Sequence, residues 1–519
     1  MSVMKSVASR RVLACLAVGG LFLTAACSAA TQTSGTSAAG PPQSGGTLVI
    51  ANTTDAQPGS FMSPALGNIL TEYAVFETLT LIDPNTGQPQ GVLAKSWKMA
   101  PDGRSMSVQL LDDVTFHSGR KMTSADVIYS LRQMQNPAVS PQGQFIASQI
   151  SGMKANGDYE VDLTFKRPLP NIFDLFEIMP VVNKDTFGQI SSGKVVDGTG
   201  RFMWKSWTPG SEIVLQKYDN YRDAKDTHLD TIKIDTITDP TAELAAIRSG
   251  RVQYAVGLSP LDARTLGQQS GYALVQSGGS ALPLAFDVTK APFNNKAVRQ
   301  AVEYAIDRSR VVQQVEGRLG DATDLPWKTS TPGYNTSLAG TYTYQPGKAR
   351  QMLAAAGVKA GTSFNVVVPN FPESVEMFQI IKNDLAAVGL NATAQVISST
   401  DYDQRIANGN LGAPAFLMRN GNGFSPASAV EARPELRATG NVEHFQSAEY
   451  TSLAQALTTA VSPGQQEKAL SAYDAYFLNQ AFVVPVIVRK TLSVRASTVG
   501  GITTTQQGFL NVSTAYLAK

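Results

Sequence analysis

The stretch VTFHSGRKMTSADVIYSL, residues 114–131, sets the reading of the whole chain. Thr123-Ser124-Ala125-Asp126 resembles a capping box with Asp in place of Glu, in which two short polar side chains take up the free N–H groups of a helix start. Val127, Ile128 and Leu131 follow at helical spacing and predict an inward-facing stripe. Gly119, just upstream, suits a turn that needs unusual backbone angles. On either side the period changes to two: Met106, Val108 and Leu110 alternate with polar residues, as do Val161, Leu163 and Phe165, which predicts strands with one buried face. Strand, turn, helix and strand in succession point to an α/β architecture.

The same grammar continues outward. Residues 47–51 (TLVIA) read as a short buried strand. Asp239-Pro240 opens a helix whose Ala242, Leu244, Ala245 and Ile247 face inward and which Gly250 stops. Asn294-Asn295 leads into a strongly amphipathic helix carrying Ala297, Val298, Ala301, Val302, Ala305 and Ile306. Pro346 begins another helix, ended by Gly357. Strands near 284–288, 364–368 and 393–397 complete a pattern of α/β domains with mixed sheets. No internal repeat, coiled coil or second hydrophobic span interrupts it.

The first 27 residues concern the compartment. Lys5, Arg10 and Arg11 precede an apolar run from Val12 to Leu23, then Thr24-Ala25-Ala26 and Cys27. This is the layout of a secretory signal, and the run is too short to span a membrane, which takes about 20 residues. A cysteine directly after small residues resembles the lipobox of bacterial lipoproteins, with Thr24 standing where that pattern usually has Leu. The resemblance implies a signal peptide over 1–26 and a lipidated Cys27, followed to residue 46 by a flexible tether without charge or large apolar side chains. Cys15 is the only other cysteine, so the mature domain has no disulfide, thiol nucleophile or Cys-based metal site. Losing the signal removes three positive charges and no negative one, which turns the formal +2 into −1. A near-neutral surface argues against nucleic acid, which needs a concentrated basic face.

Four ordered blocks are similar to one family, the extracellular solute-binding proteins of the dipeptide/oligopeptide/nickel class of ABC importers (family 5). The first runs from Val75-Phe76-Glu77-Thr78-Leu79 through Leu93-Ala94-Lys95-Ser96-Trp97 and Asp102-Gly103 to the 114–127 stretch. The second is Gly198-Thr199-Gly200 to Lys205-Ser206-Trp207-Thr208-Pro209-Gly210, then Tyr218-Asp219-Asn220-Tyr221. The third is Ala285-Phe286-Asp287 to Ala291-Pro292-Phe293, Val298-Arg299-Gln300-Ala301 and Ala305-Ile306-Asp307-Arg308. The fourth is Ala349-Arg350 to Leu353-Ala354-Ala355-Ala356-Gly357. The resemblance covers roughly residues 46–490. It implies the two-lobed periplasmic-binding-protein-like fold (type II, the large cluster C form), with a hinged ligand cleft. The strands joining the lobes are expected near 282–286 and 483–488. Lobe I would then combine 46–281 with 486–519, carrying an extra subdomain at about 84–200, and lobe II would be 282–485.

The cleft residues follow from the same resemblance. Peptide-binding members carry Gly-Trp-x-x-Asp-Tyr late in lobe II, where the aspartate pairs with the peptide's α-ammonium. Here the stretch is Arg419-Asn420-Gly421-Asn422-Gly423-Phe424-Ser425-Pro426, with Asn422 in the tryptophan's place and Ser425 in the aspartate's. A neutral hydroxyl cannot offset the desolvation of an ammonium, which puts ordinary peptide recognition in doubt. Arg419 suits bidentate binding of a carboxylate on the solute or a salt bridge within lobe II. Phe424 either stacks on a ligand or packs. Trp327 and Phe61 lie where the family places segments near the cleft, and packing is the alternative for both.

Enzyme readings find little support. Gly188 to Lys194 fits the spacing of a phosphate-binding loop, but Val195 follows where Ser or Thr must hold Mg²⁺, so it reads as a surface loop. His117, His228 and His444 lack metal-ligand spacing. No cofactor or metal is expected. The implied function is non-enzymatic: a membrane-tethered, extracytoplasmic, monomeric protein that captures a peptide-like or organic-acid solute and delivers it to an ABC permease. A surface receptor or adhesion lipoprotein on the same fold is the alternative.

Overall fold

The structure is a computed structural model that describes residues 40–63, 67–419 and 423–519. The expected signal segment, Cys27, the first part of the tether and Asn422 lie outside the described residues. Residues 42–43 are not a free tether: they pair antiparallel with Leu517 and Ala518, and the Gly46 N–H donates to Asp230 at 3.0 Å. An uncharged stretch becomes ordered here because main-chain bonds, rather than apolar burial, hold it.

The fold is α/β with mixed sheets. Its largest sheet passes through the whole molecule, in the order 390–397, 362–369, 415–417, 272–286, 483–496, 254–255, 47–52, 231–236, 212–217 and 202–208. The two central members, β1 (Tyr272–Phe286) and β2 (Val483–Ala496), pair antiparallel from Tyr272↔Ala496 to Ala285↔Val483. To one side, 47–52 runs parallel to 231–236 and 254–255. To the other, 362–369 runs parallel to 390–397 and 415–417. A separate antiparallel sheet of 94–99, 105–110, 160–165 and 150–155 contains the alternating stretches of the sequence, and helix 124–134 packs over it. The Asp126 carboxylate accepts the Thr123 N–H at 3.0 Å, closing the expected capping box.

Hydrophobic burial divides along β1 and β2. One core gathers Leu48, Ile50, Phe76, Leu131, Phe176 and Leu215 with the C-terminal Val499 and Val512. The other side holds two adjoining cores, one around Phe286, Phe293, Val302 and Phe364, one around Phe416, Tyr450, Tyr473 and Phe482. Two lobes result, joined by two long strands. The β1–β2 register shifts between Ser277 and Ser280, where Gly278 and Gly279 take positive φ of 62° and 133°. Gly508 packs there so closely that an added Cβ would stand 2.5 Å from the Gly278 Cα. Only glycine fits such an approach.

Candidate functional site

The lobes also touch through two short helices. In α1 (Ile172–Ile178), Ile172, Leu175, Phe176 and Ile178 belong to the first lobe's core, and Asp174 and Glu177 reach the second lobe and the C-terminal segment. Its counterpart α2 (Pro426–Ala432) starts at Ser425, whose hydroxyl accepts the Ser428 N–H. Asp174 accepts hydrogen bonds from both the Ser425 and Ser428 hydroxyls and, at 3.5 Å, from the Ser425 N–H. Asn171 donates through Nδ2 to Ser428 Oγ at 2.9 Å. Arg167 pairs with Glu431 and donates to the Thr458 carbonyl at 2.9 Å. Glu177 accepts the Gln506 N–H at 3.1 Å and Gln507 Nε2 at 3.3 Å. Lys328 donates to the Gln506 carbonyl at 2.6 Å.

Burial governs the charges of this cluster. It pushes Asp174 upward against the opposing serine donors, and it pushes Glu177 to about 7, with neighbouring Asp174 adding to the rise. The Lys328 ammonium is pushed down by burial, and the two carboxylates partly restore it. Glu72, buried in the first lobe with one oxygen unpartnered, rises to about 8 for the same reason. A carboxylate away from water keeps its charge only where donors replace the lost hydration.

Between the lobes lies a cavity of ≈ 480 Å³. Trp97, Met99, Phe173 and Asp174 line it from the first lobe, and Ser425, Ala427, Leu457, Val461 and Leu470 from the second. Trp97 and Phe173 meet at 5.5 Å between ring centroids. Largely apolar walls with a few polar points are the usual form of a small-molecule site, and the volume is within the usual range of a few hundred to about 1,000 Å³.

The residues expected at the cleft part company. Ser425 lines the cavity and binds Asp174. Phe424 is buried edge-on against Phe145, 5.7 Å away, within the first lobe's core cluster. Trp327 is buried in the second lobe, its indole donating to Asp474 at 2.7 Å. Phe61 is buried against Phe76 and Trp204. Both fill core volume rather than the cavity. Arg419 is 42% exposed, lies over the Phe371 ring at 3.8 Å and approaches Glu373 at 3.5 Å; it does not line the cavity. Of the residues that do, Trp97, Asn171, Phe173, Asp174 and Gln506 were not anticipated. One signal was available: Asp174 and Glu177 interrupt an otherwise apolar run from Ile172 to Val182, and acids in such a run need a reason.

His117 is committed to the Gly200 carbonyl at 2.9 Å. Among the described residues no group of three or more His, Cys, Asp or Glu could hold a metal, and no helix is long and apolar enough to cross a membrane.

Residues 88–430 match the family described as bacterial extracellular solute-binding proteins, family 5 (its middle region). Heme-binding protein A of Haemophilus influenzae is 25% identical over 448 residues, which are 79% of this chain and 81% of that protein. The glutathione-binding protein GsiB of Escherichia coli K12 is 24% identical over 434 residues, 79% and 83% of the two chains. Among solved structures, the ABC transporter substrate binding protein CtaP of Listeria monocytogenes superposes with a TM-score of 0.80 at 17% identity, covering 92% of this chain and 100% of that one. At that identity the likeness speaks for the fold alone.

Proposed function

Because the chain belongs to the bacterial extracellular solute-binding proteins of family 5, we propose that it captures a small solute in the cavity between its lobes and presents it, closed, to an ABC permease. The observation that carries this reading is the cavity itself. Its walls come from both lobes, so it exists only when they meet. Asp174, Asn171 and Arg167 on one lobe and Ser425, Ser428 and Glu431 on the other form a latch beside it. A solute that fills the cavity stabilises the closed arrangement, and a permease that docks on both lobes then favours the loaded protein. Lipidation of Cys27 would keep the carrier at the outer face of the membrane.

The test is direct. Ala427 lines the cavity, and Ala427→Trp fills it. In a metabolite screen read by thermal shift and calorimetry, solutes that bind the native protein should fail to bind this variant. Equal binding by both would move the site elsewhere. Cys27→Ser should release the protein from membranes, and an unchanged membrane fraction would remove the anchor.

A further inference from the structure

We infer that the interlobe cavity takes a compact solute with an apolar or aromatic body and a cationic nitrogen, an amine or amidine without an acid group. This rests on the reading that the cavity is the capture site. The charged residues among its described lining are Asp174 and Glu467, both acids; no Lys, Arg or His is among them. Two further lining residues, Asn171 and Gln506, are 4% and 6% exposed, and their Oδ1 and Oε1 atoms are buried without a hydrogen-bond partner. Unpartnered acceptors are costly until a donor arrives, and a turn of either amide toward the cavity would meet an N–H. Trp97 and Phe173 are aromatic members of the wall, and aromatic rings attract cations.

Neighbouring cations do not reverse this sign. Lys328 stands outside the lining and donates to the Gln506 carbonyl, and Arg433 beyond it donates to the Pro326 carbonyl at 3.2 Å. Against Lys328 stand two carboxylates, Asp174 and Glu177. An ammonium near Asp174 gains charge-assisted bonds that a carboxylate would meet as repulsion. Ser425 and Ser428 meanwhile hold Asp174 in place. Arg419, the group suited to an acid, is engaged with Phe371 and Glu373.

Three probes that share a phenylethyl body test the sign on the full mature chain by calorimetry at neutral pH: 2-phenylethylamine, 2-phenylethanol and 3-phenylpropionate. The amine should bind at least about tenfold more tightly than the alcohol, with the acid weakest. Gln506→Leu removes one free acceptor and leaves the main-chain bonds of residue 506 in place, so it should lower amine affinity several-fold and barely change the alcohol. An acid that binds as tightly as the amine overturns the inference, as does failure of the amine at millimolar concentration. If some other solute still binds the native protein and not Ala427→Trp, the capture reading stands while this inference falls. If every solute found binds both proteins equally, both fall.

Discussion

The two connections between the lobes are built from different materials. At one, β1 and β2 cross between lobes as continuous backbone, paired along most of their length. At the other, Asp174, Asn171 and Arg167 meet Ser425, Ser428 and Glu431 chiefly through side chains. A main-chain ladder keeps its pairing through a change of angle wherever a few residues absorb the dihedral change. Side-chain bonds across a gap exist only when the gap is closed.

Five substitutions or conditions break or sharpen that contrast. The largest effect belongs to the hinge: Gly508→Val forces a side chain against Gly278 at a φ of 89°, which should cost about 3 kcal/mol or more. It should lower the thermal midpoint with or without solute. Next, Asp174→Ala should leave the midpoint of solute-free protein nearly unchanged but weaken solute affinity about ten- to a hundredfold, for the loss of charge-assisted bonds of roughly 1.5–3 kcal/mol. The loss should appear as faster release, and scattering should show a more open molecule. An equal drop in thermal midpoint without any change in release would assign Asp174 to stability instead.

The third concerns pH. Glu177 rises from 4.5 to about 7 in the folded protein, so the folded state binds more protons than the unfolded one between those values. Stability should therefore be fullest near pH 4.5, fall as pH climbs to about 7 and level off above. Glu177→Gln should flatten this slope in urea titrations at pH 5 and pH 8; an unchanged slope would place the titration elsewhere. Fourth, Arg167→Ala removes a partly exposed ion pair and should cost no more than about 1 kcal/mol of closure, a few-fold in affinity. Smallest, Arg419→Ala should change affinity less than about twofold, since the residue stays within its own lobe. A large loss there would extend the site to the 419–425 segment.

Legibility followed the range of the physics. The capping box at Thr123–Asp126, the Asn295-capped helix and the alternating strands were legible because a few neighbouring residues decide them. An aromatic near a cleft and an aromatic in a core look alike in one dimension; the rings around Phe61 and the Asp474 acceptor for Trp327 are what place both side chains in cores. Asp174 was passed over because an acid on a short helix ordinarily faces water.

By itself, the order of residues determined the α/β class, the family and the helix starts at Thr123, Asp239, Asn295 and Pro346, since each depends on local hydrogen bonding and on apolar periodicity. Tertiary structure alone decided the cavity. Trp97, Asn171, Asp174, Ser425, Leu470 and Gln506 are spread over four hundred residues of chain, and their shared environment arises only when two separately packed lobes come together. Charge, burial and unpartnered acceptors are properties of that meeting, and no single stretch of the chain contains them.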